Sequence, residues 1–279
     1  MAIRIAISVV FCAVLIFTVP TTWAADVPVG QVDDFQSGSM TNWTGGAILS
    51  LADGGPAGPG DRYLRVASDP NDANHLGVQA KEAWAGNYVA NRILAITMDV
   101  RNLGTEAINL RMLTTGAGCR WASIEPVILP VGGGWQRVIF GLSAVDMVRV
   151  EYTGTLAANL SNINRIVFHH DPGDATGHGG SPELNGGVMG IDNVTAAGPT
   201  LEGDADLDND VDLDDFLLLK QNFGASPASW MMGDFDLNNS VSLTDFSRLK
   251  NNFGTNVVPE PASLSLLAIS ALAMLRRRR

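Results

Sequence analysis

The 279-residue chain is predicted to be mainly β, with a jelly-roll β-sandwich followed by a small α-helical module built from a duplicated loop–helix unit. Two observations predict this order. Residues 25–198 are rich in turn residues and contain short segments in which apolar side chains alternate, which is the period of a half-buried strand. Residues 199–256 contain two copies of one pattern, and the second half of each copy has apolar residues at helical spacing.

Residues 1–24 have the three parts of a secretory signal peptide. Arg4 precedes an apolar run over residues 5–19, and Thr22 and Ala24 place small side chains before a cleavage point after Ala24. A membrane anchor is the alternative, but the run is short for a span and ends at a proline. The chain is therefore expected to be exported.

Alternation predicts about nine short strands in residues 25–198. Three strands are defined by apolar residues expected on one face, namely Leu94, Ile96, Met98 and Val100; Ile108, Leu110 and Met112; and Val148, Val150 and Tyr152. Six more are expected at Tyr63–Ala67, Leu76–Ala80, Cys119–Ile124, Gln136–Phe140, Asn164–His169 and Val188–Val194. Short strands separated by turn residues fit a jelly-roll sandwich. Because signal cleavage leaves Cys119 without a disulfide partner, its expected role is a small buried side chain.

Four segments of this domain resemble the sandwiches of carbohydrate-binding modules and galactose-binding-like domains. They are Asp33-Asp34-Phe35, Gly60-Asp61-Arg62-Tyr63-Leu64, Gly134-Trp135-Gln136-Arg137-Val138 and Gly190-Ile191-Asp192-Asn193-Val194. The resemblance implies that the first and last strands lie together and that their acids hold one structural calcium ion. Asp34 and Asp192 are the candidate ligands. It also implies association with polysaccharide.

The residues of a sugar site are left open by the sequence. Stacking on pyranose rings needs aromatic faces, and the candidates are Trp43, Trp84, Tyr88 and Trp121, each with core packing as the alternative. Trp135 is expected to pack in the core.

Catalytic residues are equally undetermined. Glycoside hydrolysis needs two carboxylates beside the bond, and no spacing selects a pair among Glu125, Glu151 and Asp171. His169 and His170 are adjacent, so on a strand they point to opposite faces and do not converge on a metal.

The repeat in residues 203–254 gives the strongest signal. Residues 203–224 and 233–254 are identical at fourteen of twenty-two positions. In each copy, oxygen-bearing residues recur at positions 1, 3, 5, 7, 9 and 12 of a twelve-residue loop, the spacing that surrounds a calcium ion with oxygens. These residues are Asp204, Asp206, Asp208, Asp210, Asp212 and Asp215 in the first copy, and Asp234, Asp236, Asn238, Ser240, Ser242 and Asp245 in the second. Position 7 would offer its backbone carbonyl, and two calcium ions are predicted.

Other positions of each copy have defined expected roles. Position 6 is usually glycine, and asparagine is the residue that next best tolerates the left-handed backbone needed there. The position-8 valines are expected to let the two loops pair back to back. Each helix should present its apolar residues on one face and stop at a glycine. The residues concerned are Asn209 and Asn239; Val211 and Val241; Phe216, Leu219 and Phe223 with Phe246, Leu249 and Phe253; and Gly224 and Gly254.

A loop followed by a single helix, twice, with aspartate at position 12, resembles the type I dockerin. The resemblance implies a cohesin-like partner that would contact Leu213, Asp214, Lys220, Gln221, Leu243, Thr244, Lys250 and Asn251. The alternative is an acidic disordered tail, because ten acids and three bases give residues 203–254 a net charge of −7. Bound calcium would cancel that repulsion, so metal binding and folding are expected to be linked.

Residues 257–279 contain three elements in a fixed order. Pro259-Glu260-Pro261 precedes an apolar run over residues 264–275 and four terminal arginines. Twelve residues give ~18 Å of helix, short of a ~30 Å hydrocarbon core, and the arginines would stay on the cytoplasmic side. The order resembles the PEP-CTERM sorting signal. This implies an exosortase-type processing enzyme and delivery to the cell surface or extracellular matrix, with membrane contact only through the tail helix, transient or retained.

The charge of the chain restricts its partners. The formal net charge is −11, and five of the eighteen basic residues lie in the two processed ends. Nucleic acid is therefore not expected as a partner. The predicted function is a non-catalytic surface protein that binds calcium and associates with extracellular polysaccharide or matrix. The alternatives are a polysaccharide-degrading enzyme or its accessory subunit, and a structural matrix protein that binds no sugar.

Overall fold

The computed structural model describes residues 26–173 and 184–256, so the predicted signal peptide and sorting segment lie outside the described residues. Within these ranges the strands are β1 (Val32–Asp33), β2 (Trp43–Thr44), β3 (Ile48–Gly55), β4 (Gly58–Ala67), β5 (Gly77–Gly86), β6 (Ala95–Asn102), β7 (Ile108–Gly116), β8 (Cys119–Ser123), β9 (Val127–Leu129), β10 (Gln136–Gly141), β11 (Met147–Glu151), β12 (Ile163–His170) and β13 (Val188–Ala197). The helices are α1 (Leu156–Leu160), α2 (Leu213–Gln221) and α3 (Leu243–Asn252), with a 3-10 turn at Trp230–Met232.

The strands form two antiparallel sheets. Sheet A has the order β10-β6-β13-β4-β3, with β1 also paired to β13, and sheet B has the order β11-β8-β7-β12-β5-β2, with β9 also paired to β7. The consecutive strands β5, β6 and β7 alternate between the sheets. Neighbours in the chain therefore often lie in opposite layers, and the predicted β-sandwich is confirmed.

A continuous apolar core unites inward-facing residues of both sheets. Alternate residues of β6 (Ile96, Met98 and Val100) and of β7 (Ile108, Leu110 and Met112) belong to it, as their spacing predicts. Aromatic rings contribute strongly, and the ring of Trp43 stacks on that of Phe168 with a centroid separation of 6.2 Å. Cys119 is fully buried, as expected.

All nine predicted strands are present, and the described residues contain four more. The additions are the two-residue strands β1 and β2, the three-residue β9, and β3, whose glycine-rich end conceals it in the sequence. Tyr152 was predicted to share a face with Val148 and Val150, but its side chain is 68% exposed. The reason is a register irregularity in β11 between Arg149 and Glu151, followed by a positive φ of 60° at Tyr152.

A second apolar core joins the C-terminal module to the outer face of sheet A. Ala95 of β6 and Ala197 of β13 contribute small outward-facing side chains. The module contributes Leu207, Val211, Leu219, Trp230, Phe235, Val241 and Leu249. The segments predicted as separate domains, 25–198 and 199–256, therefore pack against each other through shared buried side chains.

Candidate metal centre

The first aspartate of each repeat organises the loop that follows it. The carboxylate of Asp204 accepts hydrogen bonds from the backbone N–H groups of Asp208 and Asn209, both at 3.1 Å. Asp234 accepts from the two equivalent amides of the second loop at 3.1 and 2.7 Å. The duplicated sequence thus gives duplicated geometry, in which each loop curls around the carboxylate at position 1.

The last aspartate of each loop ties the helix start back to the loop start. One oxygen of Asp215 accepts from the amides of Ala205 (2.6 Å) and Asp206 (3.3 Å), and the other accepts from the amide of Asp212 (2.8 Å). Asp245 makes the equivalent contacts in the second copy at 2.9, 3.2 and 2.9 Å. Each forms a capping box at the N-terminus of its helix.

The backbone at position 6 is left-handed, as predicted. Asn209 has a φ of 77° and Asn239 a φ of 72°. Leu207 and Leu237, at position 4, also have positive φ values of 57° and 58°, which the sequence did not indicate. Two left-handed residues in each short loop tighten the turn.

The loops gather carboxylates in three places. Ligand oxygens lie within 4.8 Å of one another in the groups Asp204–Asp206–Asp208, Asp210–Asp212–Asp215 and Asp234–Asp236–Asp245. Asp204, Asp215, Asp234 and Asp245 are each no more than 2% exposed. Buried like charges at this spacing repel strongly unless a cation or protons lie among them.

The donor set fits calcium. All candidate side-chain ligands are oxygens, the atoms that calcium prefers. Among the described residues, no hydrogen-bond donor reaches the buried Oδ1 atoms of Asp206 and Asp210. A buried polar atom without a partner is costly, and a cation among Asp204, Asp206 and Asp208 would satisfy the Asp206 atom.

The remaining predicted ligands make local contacts. Asp212 and Ser242, at position 9, accept from the amides of Asp214 (2.7 Å) and Thr244 (3.2 Å) as helix caps. The hydroxyl of Ser240 lies 2.6 Å from the amide oxygen of Asn238. The second loop therefore offers three carboxylates, with neutral oxygens completing the set.

Burial and repulsion raise the pKa of carboxyl groups in the first loop. Burial, assisted by the charges of Asp215 and Asp206, raises the pKa of Asp204 to about 7. Burial, with the charges of Asp208 and Asp215, raises the pKa of Asp206 to about 6, while Arg137 opposes the shift. Burial also raises the pKa of Asp234 in the second loop. Without a bound cation, the Asp204 carboxyl group is therefore partly protonated near neutral pH.

The predicted back-to-back pairing of the position-8 valines is wrong. Val211 exchanges backbone hydrogen bonds with Gly254 (2.7 Å) and Thr255 (3.0 Å), and Val241 pairs in the same way with residues 224–225. Each loop therefore pairs with the segment that follows the other copy's helix. The left-handed glycines after the helices make this return possible, and both valine side chains are buried.

The predicted helix faces are partly correct. Leu219 and Leu249 are buried, and Phe216 packs near Phe246 with ring centroids 6.2 Å apart. Phe223 and Phe253 were expected on the same faces but are 52% and 54% exposed. The helices end at Gln221 and Asn252, so these phenylalanines lie beyond the last helical residues and the spacing argument does not apply to them.

The residues expected to meet a partner domain all lie on the module surface. Leu213 and Leu243 begin the two helices and are 58% and 71% exposed. The other six, Asp214, Lys220, Gln221, Thr244, Lys250 and Asn251, are exposed as well. Large apolar side chains at equivalent exposed positions give the module two similar contact patches.

Acids also gather at the junction of β1, β4 and β13 in the sandwich. Asp192 is fully buried, and within the described residues its Oδ2 atom has no hydrogen-bond partner. Burial, together with the charges of Asp61, Asp99 and Asp34, raises the pKa of Asp192 to about 7. A methyl group on Gly55 would lie 2.6 Å from Asp61 Oδ2 and 3.1 Å from Asp192 Oδ2, so the glycine leaves room beside both oxygens. The charge of the predicted ligand Asp34 acts on Asp192, and so do the charges of Asp61 and Asp99, which were not predicted as ligands.

The aromatic candidates are mainly core residues. Trp43, Trp84 and Tyr88 are at most 5% exposed, so they offer no stacking surface, and the core alternative holds for them. The indole N–H groups of both tryptophans donate to Asp33 Oδ2, at 2.7 and 2.9 Å. Trp121 is partly buried against the same core.

Trp135 was predicted in the core, and that prediction is wrong. It packs edge-to-face on Tyr63, with ring centroids 5.0 Å apart. Leu64 and Val66 point inward from β4, so Tyr63 lies on the outer face of sheet A. Gly190 has no side chain to occupy the position of the Trp135 ring, which explains the close approach.

The outer face of sheet B is polar. Arg165 donates to the side chains of Gln79 (2.9 Å) and Thr115 (3.3 Å). Beside them is a cavity of about 230 Å³, lined in part by His75 and His169. His169 pairs with Arg111 on this face, whereas His170 follows the opposite parity and accepts from the Asn109 amide at 3.1 Å, as the adjacency argument predicts. Guanidinium, amide and imidazole groups are suited to hydroxyl-rich ligands.

The carboxylates considered for catalysis occupy different surroundings. Glu151 is ion-paired with Arg120 at 3.0 Å, and Asp171 is buried 3.9 Å from Arg111. Glu125 is exposed. The two ion pairs link neighbouring segments of sheet B, which is a structural role.

Comparison with known proteins identifies one segment. Residues 257–279 match the PEP-CTERM protein-sorting motif, which confirms that predicted motif and includes Pro259, Glu260 and Pro261. No curated protein matches the sequence. Among the residues that the structure describes, no helix combines the length and apolarity needed to cross a membrane.

Several solved structures resemble the chain in architecture. An exo-beta-agarase is 14% identical with a TM-score of 0.48, and the match covers 66% of this chain and 27% of that one. A family 11 carbohydrate-binding module from Clostridium thermocellum, in complex with a beta-1,3-1,4-mixed-linked tetrasaccharide, is 17% identical with a TM-score of 0.39, covering 61% and 96%. A variant of the family 29 module CBM29-2 is 14% identical with a TM-score of 0.34, covering 61% and 89%. The chain spans about a quarter of the length of the agarase.

Proposed function

We propose that this is an exported, non-catalytic surface protein that binds two calcium ions through its dockerin-like loops and associates with extracellular polysaccharide or matrix. The observation that carries the proposal is the convergence of carboxylate oxygens to within 4.8 Å in both loops. The alternative of an acidic disordered tail is disfavoured by the helices, caps and buried valines of residues 203–254. Calcium would replace the protons that the raised pKa values imply.

Calcium suits these loops better than the other common hard cation. Magnesium demands near-ideal octahedral geometry and retains water, whereas calcium accepts six to eight oxygens in an irregular arrangement. The first loop would use Asp204, Asp206, Asp208 and Asp215 with the position-7 carbonyl of Asp210. The second loop would use its three carboxylates together with neutral oxygens, so fewer negative charges would surround the second ion.

A third ion in the sandwich is a separate part of the proposal. Asp192 and Asp34 would hold it, with Asp61 as a further ligand. The buried, unpartnered Oδ2 of Asp192 and the space left by Gly55 support this site. An ion there would join the first strand, β4 and the last strand.

Surface delivery follows from the C-terminal motif. Residues 257–279 match a protein-sorting motif, and an exosortase-type enzyme is the proposed processing partner. The protein would then reside at the cell surface or in the extracellular matrix.

Contact with polysaccharide is proposed for the outer face of sheet B. Gln79 and Arg165 provide planar hydrogen-bonding groups, and they lie near the cavity beside His75 and His169. The exposed Leu213 and Leu243 patches of the module would be available to a cohesin-like domain.

Circular dichroism of residues 26–256 tests the calcium proposal. This segment is used because the module shares a core with the sandwich. We expect calcium to increase helical signal relative to a chelator, and the double variant Asp204→Ala, Asp234→Ala to lose this response. Identical spectra with calcium and with chelator would refute the proposal.

Affinity electrophoresis against a polysaccharide panel tests the sugar proposal. The double variant Gln79→Ala, Arg165→Ala should lose the retardation observed for the wild type. Arg65→Ala is the matched control, because Arg65 lies on the outer face of the other sheet. Absence of retardation by every polysaccharide would favour a structural matrix protein instead.

A further inference from the structure

The loop of the first repeat contains both candidate calcium ligands and apolar residues that pack in the core shared with the sandwich. Asp204, Asp206 and Asp208 converge as candidate ligands. The residues between and after them, Leu207 and Val211, enter the core shared with the sandwich. A loop that must curl to bring its carboxylates together therefore also presents its apolar residues for docking.

Polar contacts fix the same loop to the sandwich. The guanidinium of Arg137, on β10, donates to the backbone carbonyl of Leu207. Its charge also acts on Asp206. Arg137 thus places a positive charge of the sandwich against the more acidic of the two loops.

The second repeat takes part through its leading turn. Trp230 donates from its indole N–H to the Asp204 carbonyl at 2.5 Å and is 3% exposed. The Met231 methyl group packs over Gly141 at the end of β10, where a side chain would collide with it. Both repeats are therefore braced on the same sandwich surface.

We propose that calcium binding by the module and docking of the module on sheet A are one coupled equilibrium. The inference rests on the proposed calcium function and extends it, because it makes the sandwich surface at Ala95, Ala197 and Arg137 part of the determinants of calcium affinity. Coupling is reciprocal: calcium strengthens docking by the same factor by which docking strengthens calcium binding, so weaker docking weakens calcium binding.

The test uses residues 26–256 and isothermal titration with calcium alone. Ala197→Glu places a charged side chain in the docking surface, and Ala95→Leu is a neutral variant that overfills the same patch. We expect both to weaken calcium binding at one site by about 5-fold or more, the lower end of typical coupling. Direct electrostatics predicts the opposite sign for Ala197→Glu, because an added acid attracts calcium. Ala67→Glu is the matched control on the outer face of the same sheet, outside the shared core, and should bind as the wild type does.

Folding is checked in the chelator, where each variant should retain the near-ultraviolet spectrum of the sandwich. Hydrogen exchange of residues 198–203 is a second readout, and calcium should protect this connection in the wild type but not in the docking variants. Unchanged calcium affinity in both folded variants would overturn the coupling and leave calcium binding intact. Failure of the wild type to bind calcium would overturn both proposals.

Discussion

Chelation of calcium is expected to lower the melting temperature of residues 26–256 by ~10–20 °C. At a free concentration ~100-fold above the dissociation constant, each ion stabilises the folded state by ~2.7 kcal/mol, so two loops give ~5 kcal/mol. For a chain of this size, 1 kcal/mol shifts the midpoint by ~2–4 °C. The shared core supports treating the module and the sandwich as one cooperative unit.

Differential scanning calorimetry in calcium and in chelator measures this shift. The same measurement at different pH values gives a second test. In the chelator, the folded pKa of Asp204 is raised to about 7 and that of Asp206 to about 6, from 3.8. The folded state therefore binds protons more tightly than the unfolded state. The resulting stabilisation is complete below the unfolded pKa and is lost as the pH rises through 6 to 7. The chelated protein should melt at lower temperature at pH 7.5 than at pH 5.5.

Calcium should oppose this pH trend, because protons and calcium compete for the same carboxylates. The matched variant, Asp204→Asn with Asp234→Asn, should lose the ~10–20 °C shift that the two loops contribute and keep only the response of the proposed Asp192 site. A calcium response that survives in this variant would assign the effect to another site, such as Asp192. No calcium response in the wild type would refute the reasoning.

Three further predictions concern other parts of the chain. Gly203 has a φ of 110°, and an added methyl would lie 2.8 Å from the Leu249 Cα, so Gly203→Ala should destabilise the protein by ~1–3 kcal/mol in urea denaturation. Gly134→Ala, in open space, is the control and should change stability little. Asp33→Ala removes the acceptor of two buried indole N–H groups and should cost ~1–3 kcal/mol for each, measured in the same way. Alanines at residues 259–261 should abolish surface retention in cell fractionation, and retention at the wild-type level would contradict the sorting role.

The calcium loops were largely predictable from the sequence. Calcium ligation depends on the spacing of oxygen-bearing residues within one short segment, and the repeat shows this spacing twice. The left-handed backbone at Asn209 and Asn239 follows from the tight turn that such a loop requires. The pairing of Val211 was not predictable in this way. Its partners, Gly254 and Thr255, lie more than forty residues further along the chain, so only the tertiary arrangement of the two copies decides it.

The sandwich strands were also predictable, because alternation between a core and an outer face is a local pattern. The fate of individual aromatic residues was not. Trp84 is fully buried, whereas Trp135 packs on the outer face of sheet A. Burial there depends on residues from distant strands, such as Asp33 for Trp84 and Gly190 for Trp135.

The docking of the module on sheet A could not be predicted from the sequence. In the sequence, Ala95 and Ala197 resemble ordinary outward-facing strand residues. In the structure, their small side chains belong to the same core as Leu207 and Trp230, which are contributed by the module. The cluster of acids in the sandwich could not be predicted either, because Asp61 and Asp99 lie far from Asp192 in the chain. In the structure, their charges raise the pKa of Asp192.

The most direct test of calcium binding by the two loops is a crystal structure of the protein crystallised with calcium, in which anomalous diffraction locates the ions. We predict one ion in each loop, at ~2.3–2.6 Å from carboxylate oxygens of Asp204, Asp206 and Asp208 in the first and of Asp234, Asp236 and Asp245 in the second. Loops that hold only water in saturating calcium, with their carboxylates still bonded to backbone amides alone, would contradict it.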